Sequence, residues 1–189
     1  MKTGNVLILV LLLCSAIPLL AIRNEAEMDQ RDSRITDNAS FRPTSGETEL
    51  AAFVEAAVAH AREVGKTQAM RDFMDLQGPW VQAETYIFAH DFNGTTLVLP
   101  YLSSAVGTDR TNMQDAEGRY INRDLQAIAR NGSGYCHYLY RNPVTNQTQP
   151  KVSYVMSVDE TWWLGSGIYL PVENSTQATC SSQQNQAAS

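Results

Sequence analysis

The sequence is poor in the residues from which metal centres and nucleic-acid surfaces are built. Its 189 residues include three cysteines and three histidines, and contain neither an HExxH nor a CxxC motif. The 14 lysines and arginines are outnumbered by 20 aspartates and glutamates, which leaves a formal net charge of −6. A nucleic-acid-binding protein needs a basic surface to replace the counterions of the phosphates. We therefore expect no metal, no cofactor and no nucleic-acid partner.

A long apolar run stands near the N-terminus. Lys2 precedes an apolar stretch over residues 6–22, a pattern typical of a secretory signal or an N-terminal membrane anchor. Three interpretations stay open for residues 1–22: a cleaved signal peptide, a lipoprotein signal with lipidation at Cys14, and an uncleaved anchor flanked by Arg23. All three predict an extracytoplasmic protein, either secreted or anchored to the cell surface by its N-terminus. Contact with a membrane is then expected only through this segment.

The composition divides the rest of the chain into three parts. Residues 23–46 are polar and lack periodicity, which predicts a linker. Residues 47–170 carry the apolar patterns of one folded domain, and residues 171–189 form a low-complexity polar tail. If Cys14 belongs to the targeting segment, Cys136 and Cys180 remain. In an oxidising compartment these two either form a disulfide that attaches the tail or stay as free thiols.

The domain begins with a predicted helix. Thr44 and Glu47 have capping-box spacing, and apolar residues then recur at helical spacing from 50 to 64. Gly65 ends this helix, and a second helix is predicted from Lys66 to about Leu76. Strand-forming segments follow at 84–91, 95–100, 134–141, 151–158 and 161–170, with a short helix near 120–131. This order predicts an α+β fold, with a long N-terminal helix packed on a five-stranded antiparallel sheet.

Aromatic residues converge on the predicted strands together with one cation. Tyr86 and Phe88 alternate onto one face of their strand, as Tyr138 and Tyr140 do, and Lys151 begins another strand. Such a face can enclose a small anion, because the rings exclude water and the ammonium pairs with a carboxylate. On spacing alone, an ordinary aromatic core with a surface lysine explains the pattern better.

Tyr154 differs from the other members of this group in its spacing from Lys151. Strict alternation along a strand places Lys151 and Tyr154, three residues apart, on opposite faces of the sheet. The two share a site only if the strand begins irregularly after Pro150.

Several short motifs occur in a fixed order along the domain. They are a D-x-x-G hairpin at 91–94, Pro100, Gly107, Asp115-x-x-Gly118, Asn142-Pro143, Lys151-x-x-Tyr154 and G-S-G-x-Y at 165–169. With these motifs, residues 49–170 resemble a single Cache domain, the extracytoplasmic sensor module of chemoreceptors and histidine kinases.

The resemblance implies a PAS-like sheet behind the long helix, with a pocket on the sheet for a small carboxylate or related metabolite. The residues that match this pocket or lie near it are Pro100, Tyr138, Tyr140, Lys151, Tyr86, Phe88 and Tyr154. Two positions depart from the family pattern. Leu99 stands where many relatives have a histidine before the proline, and Tyr140 stands where many have a tryptophan.

We therefore expect a non-enzymatic, exported or surface-tethered protein that captures a small organic anion and presents it to a membrane receptor or kinase. Because no apolar run or signalling module follows the tail, a stand-alone Cache protein is expected. The alternative is a structural or interaction protein of the surface whose fold has lost ligand binding, as Leu99 hints. An enzyme would require His90 or His137 to meet a carboxylate in a cleft.

Overall fold

The computed structural model describes residues 43–171 and 180–183. The predicted targeting segment, including Cys14, and almost all of the predicted linker lie outside these residues. Within the described ranges, no helix combines the length and the apolar character that crossing a bilayer requires.

Two helices begin the domain. Helix α1 (Ser45–Val64) starts at the N-cap Thr44, whose hydroxyl accepts the Glu47 backbone N–H at 3.3 Å. The Glu47 carboxylate accepts the Thr44 backbone N–H at 2.6 Å, so the predicted capping box is present. Gly65, with φ of 80°, separates α1 from α2 (Lys66–Met74), because the left-handed region is accessible to glycine.

The rest of the domain is mainly antiparallel sheet. Strands β1 (Val81–Gln82) and β2 (Thr85–Tyr86) form a two-stranded ribbon. The chain then passes through β3 (Phe88–Asp91), β4 (Thr96–Val98), a 3₁₀ helix (Pro100–Ala105), α3 (Ile121–Arg130), β5 (Ser133–Arg141), β6 (Thr148–Ser157), β7 (Trp162–Tyr169) and β8 (Cys180–Gln183). The main sheet has the spatial order β4-β3-β7-β6-β5-β8, with every neighbouring pair antiparallel.

The α+β architecture agrees with the prediction, and the sheet carries one strand more than expected. Strand β8 lies in the segment predicted as a polar tail, and pairs with the edge strand β5. Cys136 and Cys180 are opposite each other in this pairing, and their sulfur atoms are 2.05 Å apart. The predicted domain end at residue 170 therefore leaves out a strand. The predicted strand at 84–91 is also divided, into β2 and β3.

The sheet separates two apolar clusters. Helix α1 packs against β6 and β7, so that Leu50 and Val54 share one cluster with Val152 and Tyr154. Helix α3 packs on the opposite face, which we call the α3 face. The cluster there contains Leu99, Ile121, Leu125, Cys136, Tyr138, Val155 and Trp163. Adjacent residues of β6 alternate between the two clusters, as the pleat of a regular strand requires.

Candidate functional site

A fully buried lysine lies on the α3 face of the sheet. Lys151 is 1% exposed, and four aromatic rings surround its ammonium. The Nζ atom is 4.7 Å from the ring centroids of Tyr86 and Tyr169, 5.2 Å from that of Tyr140 and 5.7 Å from that of Phe88. The negative faces of aromatic rings attract a cation at these distances, so the rings form a cage for the ammonium.

The charge of Lys151 has no ion-pair partner among the carboxylates of the described residues. Desolvation by burial lowers the pKa of Lys151 from the ordinary 10.5 to about 7, and the charge of Glu84 opposes this shift. The hydroxyl oxygens of Tyr86 and Tyr169 lie 3.5 Å from Nζ, at the outer limit of hydrogen bonding. When Lys151 is protonated, its charge therefore lacks an ion-pair partner among the described residues.

Two glycines of β7 make room for the cage. A Cβ atom on Gly167 would lie 2.4 Å from Cε of Lys151, and one on Gly165 would lie 3.0 Å from Cζ of Phe88. Between them, the Ser166 hydroxyl donates a hydrogen bond to the backbone carbonyl of Tyr86 at 2.9 Å. The G-S-G motif thus fixes β2 against β7 and leaves space for the side chains of Lys151 and Phe88.

Tyr138 lies opposite Lys151 in the pairing of β5 with β6. Its hydroxyl is buried and shares a 2.8 Å hydrogen bond with the Ser153 hydroxyl. Burial raises the pKa of the Tyr138 phenol and of the Tyr86 phenol well above the ordinary value of 10.0. Both phenols are therefore protonated at physiological pH, and each carries one hydrogen-bond donor.

Two adjoining chambers lie at the cage. The inner chamber has a volume of about 20 Å³ and is lined by Lys151, Phe88 and Tyr138, while the outer chamber has a volume of about 520 Å³. We call the residues that line both chambers the neck. They are Tyr86, Leu99, Arg110, Met113, Ile121 and Tyr140.

Most of the predicted ligand-binding residues lie together. Tyr86, Phe88, Tyr138, Tyr140 and Lys151 all line the inner chamber.

Pro100 is buried and lines neither chamber, so it has no direct place in the site. It begins the 3₁₀ helix, and its neighbours Leu99 and Tyr101 line the outer chamber. A proline fixes its own φ and restricts the residue before it, so Pro100 positions Leu99 in the neck.

Tyr154 lies away from the chambers, and we remove it from the candidate site. Strand β6 is regular from residue 148, Pro150 included, so the alternation of faces is kept. Tyr154 therefore points to the α1 side, where its ring packs on Tyr135 with centroids 4.7 Å apart. Its hydroxyl donates to the Ser133 hydroxyl at 2.9 Å.

Tyr169 and Arg110 are among the residues of the site that were not predicted from the sequence. Tyr169 lies two residues after Gly167 on the same strand, so the alternation along G-S-G-x-Y already indicates that both share a face. Arg110 belongs to the irregular segment between the 3₁₀ helix and α3, where no periodicity indicates which side chains point inward. Leu99 also lines the neck, where it contributes an apolar side chain.

The histidines lie in different surroundings. His90 lines the inner chamber and stacks on Trp163, with ring centroids 5.0 Å apart. Desolvation lowers the pKa of His90 to about 4, so the ring is neutral near pH 7, and its Nδ1 atom has no hydrogen-bond partner within the described structure. His137 does meet a carboxylate, with its Nε2 atom 3.4 Å from Oε1 of Glu47 in α1. It lines neither chamber.

Comparison with known proteins gives consistent matches. The family model for Single Cache domain 2 matches residues 53–181, which include the first residues of β8. Over 86 residues the chain is 34% identical to the sensor histidine kinase MctS of Rhizobium johnstonii. The matched segment is 45% of this chain, and the chain spans 19% of the length of that kinase.

Three solved structures share the fold. A methyl-accepting chemotaxis protein from Vibrio parahaemolyticus superposes with a TM-score of 0.58 at 19% identity, over 76% of this chain and 93% of that chain. A periplasmic sensor domain of a chemotaxis protein gives a TM-score of 0.53 at 20% identity, over 79% and 99% of the two chains. A Cache chemosensory domain studied for carboxylic acid recognition gives 0.51 at 22% identity, over 79% and 100%.

The family match covers the strands that carry the cage as well as most of α1, and the chemotaxis proteins share the fold. This chain therefore belongs to the single Cache domain family, whose members are extracytoplasmic modules that bind small molecules for signalling.

Proposed function

We propose that this protein is a non-enzymatic sensor-type protein that captures a small organic anion, such as a short carboxylate, at the Lys151 cage. The observation that carries the proposal is a buried ammonium within four aromatic rings and without an ion-pair partner among the described residues. A buried charge is costly unless it is paired. A carboxylate in the inner chamber would supply the missing counter-charge.

The dimensions of the two chambers suit a small ligand. About 20 Å³ is room for one water-sized group, such as a single carboxylate oxygen, next to Nζ. The outer chamber, at about 520 Å³, lies within the range of roughly 300–1,000 Å³ found for small-molecule sites. In the proposed complex, the hydroxyls of Tyr86 and Tyr169 orient the anion, and the remainder of the ligand extends into the outer chamber.

The comparisons favour a carboxylate and a signalling partner. One protein of this fold is described by its recognition of carboxylic acids, and the curated relative is a sensor histidine kinase. We infer that this chain is exported, is secreted or attached by its N-terminal segment, and presents its ligand to a membrane receptor or kinase.

The chamber walls support binding rather than catalysis. The residues that line the inner chamber, where Lys151 lies, include no serine, threonine or cysteine, so this wall offers no nucleophile of the Ser, Thr or Cys type. His90 carries a lowered pKa from burial and faces the chamber as a neutral ring.

One observation favours the second candidate, a surface protein that has lost ligand binding. The inner chamber is small because the aromatic side chains fill most of the space around Lys151. Under this alternative, the cage serves only as the core of the α3 face, and no acid binds.

Titration calorimetry separates the two candidates. The purified protein is titrated with acetate, propionate, butyrate and lactate, and we expect at least one to bind. Lys151→Met, which keeps the length of the side chain and removes the charge, is expected to weaken that affinity roughly ten- to hundredfold. Lys66→Met is the matched control, because Lys66 also lies over an aromatic ring, at 5.3 Å from Trp162, but outside the chambers.

Unchanged affinity in Lys151→Met would remove Lys151 from the site. If no acid binds to the wild-type protein and none raises its melting temperature, the structural alternative is favoured.

A further inference from the structure

We propose that Arg110 is a second anion-binding residue of this site, and that the site therefore favours a short acid with two anionic groups over a monocarboxylate of the same length. This inference rests on the proposed function, since it assumes that one carboxylate pairs with Lys151.

Arg110 lies in the neck, between the caged ammonium and the outer chamber. It lines the inner chamber together with Lys151, and it also lines the outer chamber, which Lys151 does not reach. An acid with one end at Lys151 and the other end in the outer chamber must therefore pass Arg110.

The backbone of Arg110 is held firmly in this position. Its N–H donates to the Gly94 carbonyl at 3.1 Å, and its carbonyl accepts the Met113 N–H at 3.1 Å. The same carbonyl accepts the side-chain amide of Asn122 at 2.8 Å, and Asn122 is itself buried in α3. The irregular segment thus presents the guanidinium from a fixed backbone, which reduces the entropic cost of ordering it around a ligand.

The N–H donors of the Arg110 guanidinium have few acceptors among the described residues. Among the described residues, its one hydrogen-bond acceptor is the thioether sulfur of Met113, and it forms no ion pair. A guanidinium carries five N–H donors in a fork that fits a carboxylate, whereas a thioether is a weak acceptor. Most of its donors are therefore available to a ligand.

The positive charge of Arg110 reaches the inner chamber. Burial is the main cause of the lowered pKa of His90, and the charge of Arg110 is the second cause. Arg110 and Lys151 thus act on the same small space.

Charge balance favours a dianion. Asp115 is the one carboxylate among the residues that line the two chambers, and it is already engaged. Its oxygens accept the backbone N–H groups of Glu117, Arg119 and Leu139. A monocarboxylate paired with Lys151 would leave Arg110 uncompensated at the neck, whereas a dicarboxylate compensates both residues.

Calorimetry with succinate and butyrate tests this inference, because both acids have four carbons and differ by one carboxylate. We expect wild-type protein to bind succinate roughly tenfold or more tightly than butyrate. Arg110→Gln should abolish this preference and leave the butyrate affinity within about threefold. Arg110→Lys should restore part of the preference, since it returns the charge without the fork.

The matched control is Arg71→Gln, because Arg71 is exposed and lines neither chamber. It should leave both affinities unchanged. Melting temperatures of all variants confirm that they are folded.

The inference is overturned if the wild-type protein does not prefer succinate, or if Arg110→Gln weakens both acids equally. If short monocarboxylates bind in a Lys151-dependent manner without a preference for succinate, the inference fails and the proposed function stands. If no acid binds to the wild-type protein, both fail.

Discussion

The side chain of Lys151 occupies space that a side chain on Gly167 would need: a Cβ atom there would stand 2.4 Å from Cε of the lysine. The two residues lie on neighbouring strands, β6 and β7, and Gly167 pairs directly with Ser153. The Lys151 ammonium can therefore be buried against β7 only because position 167 is a glycine and carries no side chain.

Gly167→Ala should damage both the fold and the site. The added methyl group would also stand 2.9 Å from the backbone oxygen of Val152, which has little freedom to move. We expect the free energy of unfolding to fall by about 1–3 kcal/mol, as is usual for overpacking, and ligand affinity to fall as Lys151 is displaced.

Urea denaturation and calorimetry measure the two effects of Gly167→Ala. Gly46→Ala is the control, since its Cβ would meet only the flexible end of Ile168, at 3.3 Å. If Gly167→Ala binds as tightly as the wild type, the glycine does not determine the position of Lys151.

Tyr154→Phe should lower the stability of the protein without changing its affinity for the ligand. The substitution removes the buried hydroxyl that donates to Ser133 at 2.9 Å, on the α1 side of the sheet. We expect a loss of about 0.5–1.5 kcal/mol in the free energy of unfolding and no change in ligand affinity. A clear loss of affinity in this folded variant would return Tyr154 to the site.

The pH dependence of stability should reveal the buried lysine. The pKa of Lys151 is about 7 in the folded protein and about 10.4 in an unfolded chain. Between these values the unfolded chain holds a proton that the folded chain has lost, so this residue makes the folded state more stable as the pH rises. Below pH 7 the full penalty of burying the ammonium remains.

Lys151→Met removes this penalty. In the absence of ligand, it should raise the free energy of unfolding by a few kcal/mol at pH 6 and by clearly less at pH 10. Urea denaturation of wild type, Lys151→Met and the control Lys66→Met at both pH values measures the difference. A gain that is equal at the two pH values would mean that burial does not depress the lysine pKa.

The pairing of β8 with β5 predicts sensitivity to reductant. Cys136 is buried in β5, lies opposite Cys180 in β8 and is separated from it by 44 residues in sequence. Reduction should cost about 2–4 kcal/mol of unfolding free energy, because the cross-link restricts the unfolded chain.

Denaturation with and without reductant measures the contribution of the cross-link. The double variant Cys136→Ala with Cys180→Ala should be insensitive to reductant. Labelling of two free thiols in native, unreduced protein would contradict the cross-link.

Local sequence signals were sufficient for the helix start and for grouping the aromatic residues by face, whereas the family resemblance was needed to select them as a ligand site. The capping box of Thr44 and Glu47 depends on hydrogen bonds within one turn, so spacing alone predicts it. Strand alternation likewise placed Tyr86 with Phe88 and Tyr138 with Tyr140, and the pairing of β5 with β6 then brings Lys151 to the same face.

The remaining features depend on contacts distant in sequence. Strand β8 is polar, because it lies at a sheet edge and is held by pairing and by Cys180, so no apolar pattern predicts it. Arg110 is positioned by Gly94 and Asn122, from a turn and a helix that only the fold brings together. Neither contact has a signature in the local sequence.

A crystal structure of the protein grown with a bound acid from the calorimetry panel tests the central proposal most directly. We predict density for the acid at the inner chamber, with a carboxylate oxygen within about 3 Å of Nζ of Lys151, as in charge-assisted hydrogen bonds. Density for the acid elsewhere, with Lys151 still enclosed only by its four rings, would contradict it.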